Sequence, residues 1–164
     1  MFRPFRENGP ALLVPAAWTV AAAAVLGAVS THALFVMHVV MSVLLAAFVL
    51  ASWREMATGV LAGWRAVILA GTPVTLAGVA GLWLGVESLL AVALYGWALL
   101  PAAGFLYTAA RVDAGRRIYL GGAACCVGGV IVVALASSTA GVVSGLTLVG
   151  VGQTAGILDA TLRY

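Results

Sequence analysis

Lysine is absent from this 164-residue chain, Asn and Gln occur once each (Asn8, Gln153), and only 8% of the residues are charged. Soluble globular domains carry about 25% charge, so a surface solvated by water is excluded. A hydrophobic content of 64% and a mean hydropathy of +1.16 point the same way. Cysteine is scarce too. The two present, Cys125 and Cys126, are adjacent, a spacing that seldom meets disulfide geometry. Without a Cys/His cluster they make a poor metal site, and both are expected to pack as small buried hydrophobes.

The missing motifs narrow the chemistry further. There is no phosphate-binding glycine loop with a lysine, no zinc-protease histidine pair and no second membrane aspartate for an aspartyl protease. Ser42 falls one turn from His38, but no third group or oxyanion donor accompanies them. An enzyme is therefore not the expectation.

Long apolar stretches are what the chain does have. A helix crossing a hydrocarbon core of about 30 Å needs about 20 residues. Six stretches meet that length, at 11–29, 33–51, 66–85, 88–109, 118–136 and 141–162. They must be helices, because isolated strands leave backbone groups unpaired in lipid. The expected fold is all-α: one domain over residues 1–164, a compact bundle of six transmembrane helices in the cell membrane. The first stretch follows Arg3 and Arg6 and so competes with a secretory signal. It exceeds the about 15 apolar residues of a signal core, and more spans follow, so a permanent span is expected.

Charge sets the orientation. The net charge is +3, and all eight basic residues are arginines: Arg3, Arg6, Arg54, Arg65, Arg111, Arg116, Arg117 and Arg163. They fall in alternate gaps. The gaps at Ser30 to His32, at Val86 and Glu87, and at Ser137 to Ala140 contain none. Positive residues near span ends stay cytoplasmic, so both termini and the 52–65 and 110–117 loops are expected inside. Trp53, Trp64, Tyr107 and Tyr119 then mark the inner interface and Trp83 the outer one. Dispersed arginines form no basic face with interleaved aromatics, so no nucleic-acid partner is expected.

Gaps this short predict tight antiparallel hairpins between consecutive helices. Gly81 with Gly85, Gly141 with Gly145 and Gly152 with Gly156 are spaced four apart, as close helix contacts require. So much apolar, glycine-rich surface also predicts a homo-oligomer or a partner membrane subunit. Two similar fragments, Thr75-Leu-Ala-Gly-Val-Ala and Thr147-Leu-Val-Gly-Val-Gly, hint at opposed halves of the kind common in carriers. A second pair of fragments disagrees in depth, which fits coincidence in a biased composition.

Ionisable groups inside a membrane are functional candidates by default. His38 lies about two turns into the second span, whereas His32 and Glu87 mark the outer edge and Asp159 the inner end. A neutral imidazole is cheap to bury, takes a proton and binds haem iron, copper or zinc. Met41 is one turn further along and Met37 is adjacent, whereas His32 is about 240° away around the helix. The plain alternative is a neutral His38 bonded to a backbone carbonyl, with the methionines as packing. Asp159 and Arg163 are i,i+4 neighbours and are expected to pair. Pro73 deprives the Leu69 carbonyl of its donor and predicts a kink. Ser144, Thr147, Thr154 and Thr161 form a hydroxyl stripe on the last span, with Gln153 beside it.

These residues lead to a carrier or channel for a neutral or weakly charged solute or for protons. Its path would use Thr72, Pro73, Thr75, Ser144, Thr147, Gln153 and Thr154, with His38 as the proton-sensitive element. Two other readings stay open: a haem- or metal-binding redox or sensor protein using His38 with Met41 or His32, and a non-catalytic subunit of a larger membrane complex.

Overall fold

The computed structural model describes residues 3–163, with side chains from residue 12 onward. The side chains of Arg3 and Arg6, expected at the inner end, lie outside that set. Six α-helices make up the described chain: α1 (Arg3–Val25), α2 (Thr31–Ser52), α3 (Gly59–Leu84), α4 (Glu87–Ala109), α5 (Arg116–Leu135) and α6 (Thr139–Arg163). Helices α2 to α6 are each long and apolar enough to cross a membrane, and α1 contributes the shorter apolar stretch Leu12–Val25.

Local chemistry sets the helix ends. The Ser30 side chain accepts from the Ala33 N–H and caps α2, supplying one of the orphan bonds at a helix start. At the far end of α3, Gly85 takes a left-handed φ of 68°, and the N–H groups of Gly85 and Val86 both reach the Gly81 carbonyl. Glycine adopts that conformation without the penalty a Cβ brings, so α4 begins at Glu87. Gly85 is thus a cap, and only Gly81 packs across the hairpin, against Leu90. Helix α3 starts seven residues before the expected 66, because Gly59 at φ 61° lets it begin outside the apolar stretch.

The helices follow one another in space in the order α1, α6, α5, α4, α3, α2. This corrects one expectation: among the described residues α1 does not pack along α2, although only a short turn separates them. Each has a better partner elsewhere. The absent side chain of Gly150 on α6 lets Trp18 of α1 approach, and Gly78 on α3 receives His38 of α2. Among the described residues α2 packs chiefly on α3, which leaves Val36, Val40, Val43 and Leu50 exposed.

Helices α5 and α6 form the tightest pair. A Cβ on Gly129 would stand 2.6 Å from the Gly145 carbonyl, and one on Gly145 2.7 Å from that of Gly129. Gly122 and Gly152 repeat this reciprocal contact at 2.9 Å. Such close backbone approach brings dispersion and Cα–H···O contacts along the pair. The expected pairing of Gly141 with Gly145 and of Gly152 with Gly156 is replaced by a spacing of seven, two turns of the facing helix. Gly156 instead accommodates Phe105 of α4. Phe105 is fully buried, edge-on to Trp64 at 5.4 Å and tilted against Tyr119 at 6.1 Å.

Every described arginine gathers at one end of the bundle. There Tyr107 donates to the Gly59 carbonyl at 3.3 Å, Trp64 donates to the Thr108 hydroxyl at 3.1 Å, and Asp159 lies against Gly115. Arg65 donates to the Trp53 carbonyl at 3.1 Å and stacks on its ring at 4.8 Å. The opposite end holds Glu87, with Phe35 against Trp83 at 5.6 Å.

Candidate functional site

Pro101 stands inside α4 and has no N–H, so the carbonyl of Trp97 one turn earlier loses its helical donor. Gln153 of α6 supplies the replacement, its Nε2 donating to that carbonyl at 2.9 Å. The amide's other end is also engaged, because Trp18 of α1 donates from Nε1 to Gln153 Oε1 at 3.0 Å. Trp97 continues the chain by donating from its indole to the Thr75 hydroxyl at 2.8 Å, and Thr75 donates to the Gly71 carbonyl at 3.0 Å. Four helices, α1, α6, α4 and α3, are thereby linked by one neutral hydrogen-bonded relay.

Backbone packing positions it. Gly71 makes room for the Trp97 ring, whose atoms lie 2.6 Å from where a Cβ would stand, and Gly150 does the same for Trp18. Thr75 and Gln153 are almost fully buried. Trp18, Thr75, Trp97 and Gln153 each sit roughly 10 to 20 Å along their helices from the end opposite the arginines, near mid-depth. No charged side chain takes part. The nearest ion pair on α6, Arg163 with Asp159 at 2.6 Å, joins the i,i+4 partners expected from the sequence at the arginine end. One Asp159 oxygen is buried there without a hydrogen-bond partner.

Of the residues singled out from the sequence, Thr75 and Gln153 enter the relay. Thr72 is half-buried and bonds the Ile68 carbonyl at 3.0 Å, while Pro73 faces outward on the exposed side of α3. The threonines beside Pro73 thus serve the carbonyls of Ile68 and Gly71. Ser144 and Thr147 are exposed and return their protons to the carbonyls of Ala140 and Val143, both at 2.8 Å. Thr154 is half-buried on the same side of α6.

His38 lies between α2 and α3. Its Nδ1 is 2.9 Å from the Leu34 carbonyl, and the edge bearing Cδ2 and Nε2 fills the notch at Gly78, with Ala93 of α4 adjoining. Met41 is half-buried one turn further along α2, and His32 is exposed in the first turn. Among the described residues no group of three His, Cys, Asp or Glu side chains is placed to hold a metal ion. Cys126 is completely buried and Cys125 packs toward Gly152.

Trp18, Trp97 and Pro101 were not singled out from the sequence. The spacing of four between Trp97 and Pro101 carried a usable signal, since it marks a carbonyl in need of a donor. Nothing local connects either residue to Gln153. No family model, curated protein or solved structure matches the chain.

Proposed function

We propose that the chain is a multi-pass protein of the cell membrane with α1 as a sixth crossing and both termini cytoplasmic. Within that frame it acts as a small carrier or channel for a neutral or weakly charged solute or for protons. The observation that carries the reading is the contact between Gln153 and the carbonyl freed by Pro101. In carriers, interrupted helices near the midplane offer backbone carbonyls to the substrate. Here such a carbonyl is held by a side-chain amide that a passing hydroxyl or amide can replace. Thr75 and the indoles of Trp18 and Trp97 supply further neutral donors and acceptors at the same depth. A relay without charge suits a solute without charge, because burying an unpaired ion in lipid is costly. His38, the only described histidine, acidic or arginine side chain well inside the apolar part of its helix, is the proton-responsive element.

The test is flux in liposomes. Purified protein should dissipate an imposed gradient of protons or of a small neutral solute, and Gln153→Leu should reduce that flux at least about tenfold, the effect of about 1.4 kcal/mol on a barrier. Vesicles that hold every imposed gradient, with correctly folded wild-type protein in them, overturn the proposal.

A further inference from the structure

Between α1 and α6 runs a groove of about 590 Å³, lined by Pro15, Trp18 and Thr19 on one side and Thr147, Thr154 and Leu158 on the other. Its floor is closed, since Trp18 and Gly150 are buried against one another. The rims are open, with Val151 and Leu158 exposed by 59% and 43%. It therefore opens along the side of the bundle. Among the described residues no charged side chain lines it.

One hydroxyl in this groove differs from the rest. Thr19, Ser42, Thr72, Thr75, Thr108, Ser144 and Thr147 each donate to the carbonyl one turn back in their own helix. Serine and threonine inside apolar helices ordinarily bond in that way, because lipid offers no alternative. Thr154 makes no such bond and has no other partner among the described residues, yet it is only half exposed. Its hydroxyl is free to donate and to accept within the groove.

We infer that this groove is a binding site for a neutral molecule dissolved in the bilayer, with an apolar body and a single hydroxyl or carbonyl oxygen that bonds Thr154. The apolar walls take the body, and the lateral opening admits a ligand from the membrane rather than from water. The absence of charge among the described lining residues disfavours a phosphate or ammonium headgroup, whose burial requires a partner. The inference stands apart from the carriage reading: a chain that moves nothing would still hold this ligand, and a carrier of water-soluble solutes would not need the groove.

The experiment uses the full chain in phosphatidylcholine vesicles with two photoactivatable probes, a diazirine-bearing long-chain alcohol and the matching diazirine alkane. Mass spectrometry locates the adducts. The alcohol should label residues 15–22 and 147–158 roughly fivefold more than the alkane does, the worth of one hydrogen bond. Thr154→Val, nearly the same shape, should bring the alcohol down to the alkane level. Thr147→Val should not, because that hydroxyl is already committed to Val143. Ala155→Trp, which fills the groove, should remove labelling there by both probes. Equal labelling by alcohol and alkane in the wild type, or alcohol adducts spread evenly over exposed faces such as that of α2, overturns the inference. The wild-type comparison needs no variant to fold.

Discussion

Gln153 donates to the carbonyl of Trp97 at 2.9 Å, and that carbonyl is the one Pro101 leaves without a helical donor. A defect in one helix is repaired by a side chain from another, which makes the two helices interdependent. Gln153→Leu should therefore destabilise the protein by about 1–2 kcal/mol, between the small average of membrane hydrogen bonds and the cost of an orphaned buried carbonyl. Pro101→Ala restores an N–H to the helix. In that background the same Gln153→Leu change should cost about 1 kcal/mol less. Thermal unfolding of the four proteins in detergent measures the coupling, and strict additivity would remove the repair from the account.

The α5–α6 pair depends on backbone contact, so Gly129→Ala should force the helices apart. The added methyl meets the Gly145 carbonyl at 2.6 Å, and a rigid backbone cannot turn aside. A loss of about 2 kcal/mol or more is expected. Gly121→Ala, with nothing within 4 Å, should be neutral or stabilise by up to about 1 kcal/mol through helix propensity. Unfolding midpoints of the two variants decide it.

Gly78 is small because His38 is there. Gly78→Ala should cost about 1–3 kcal/mol, since the new methyl would stand 2.5 Å from Cδ2 of the imidazole. Adding His38→Ala should recover much of that loss. A double variant no more stable than Gly78→Ala alone would mean that α2 is held elsewhere.

Cys126 is fully buried between helices, whereas the half-buried Cys125 faces Gly152. A membrane-permeant maleimide should leave Cys126 unmodified in the folded protein and modify it on unfolding, because a thiol needs access as well as ionisation to react. Peptide mapping before and after denaturation provides the readout, and rapid modification of Cys126 in the native state would refute the packing.

Sidedness is open to a direct measurement. In a chain with both native cysteines changed to alanine, Glu87→Cys and Asp113→Cys should label from opposite faces with an impermeant maleimide. Labelling of both from one face would contradict the proposed orientation.

The helical class and the division into apolar helices were legible in the sequence, because the backbone groups of a long apolar stretch must find their partners within their own segment. That requirement is local, and runs of apolar residues report it directly. The Asp159–Arg163 pair was legible for the same reason, its partners lying one turn apart. Only tertiary structure decided which helices touch. Helix α1 lies on α6 and not on α2 because Gly150 admits Trp18, and the glycine contacts of α5 and α6 fall seven residues apart rather than four. In so uniformly apolar a chain, hydrophobicity does not distinguish one helix face from another. The choice falls to a few missing Cβ atoms and to donors such as Gln153 and Trp18, whose acceptors are distant in sequence and are brought near only by the fold.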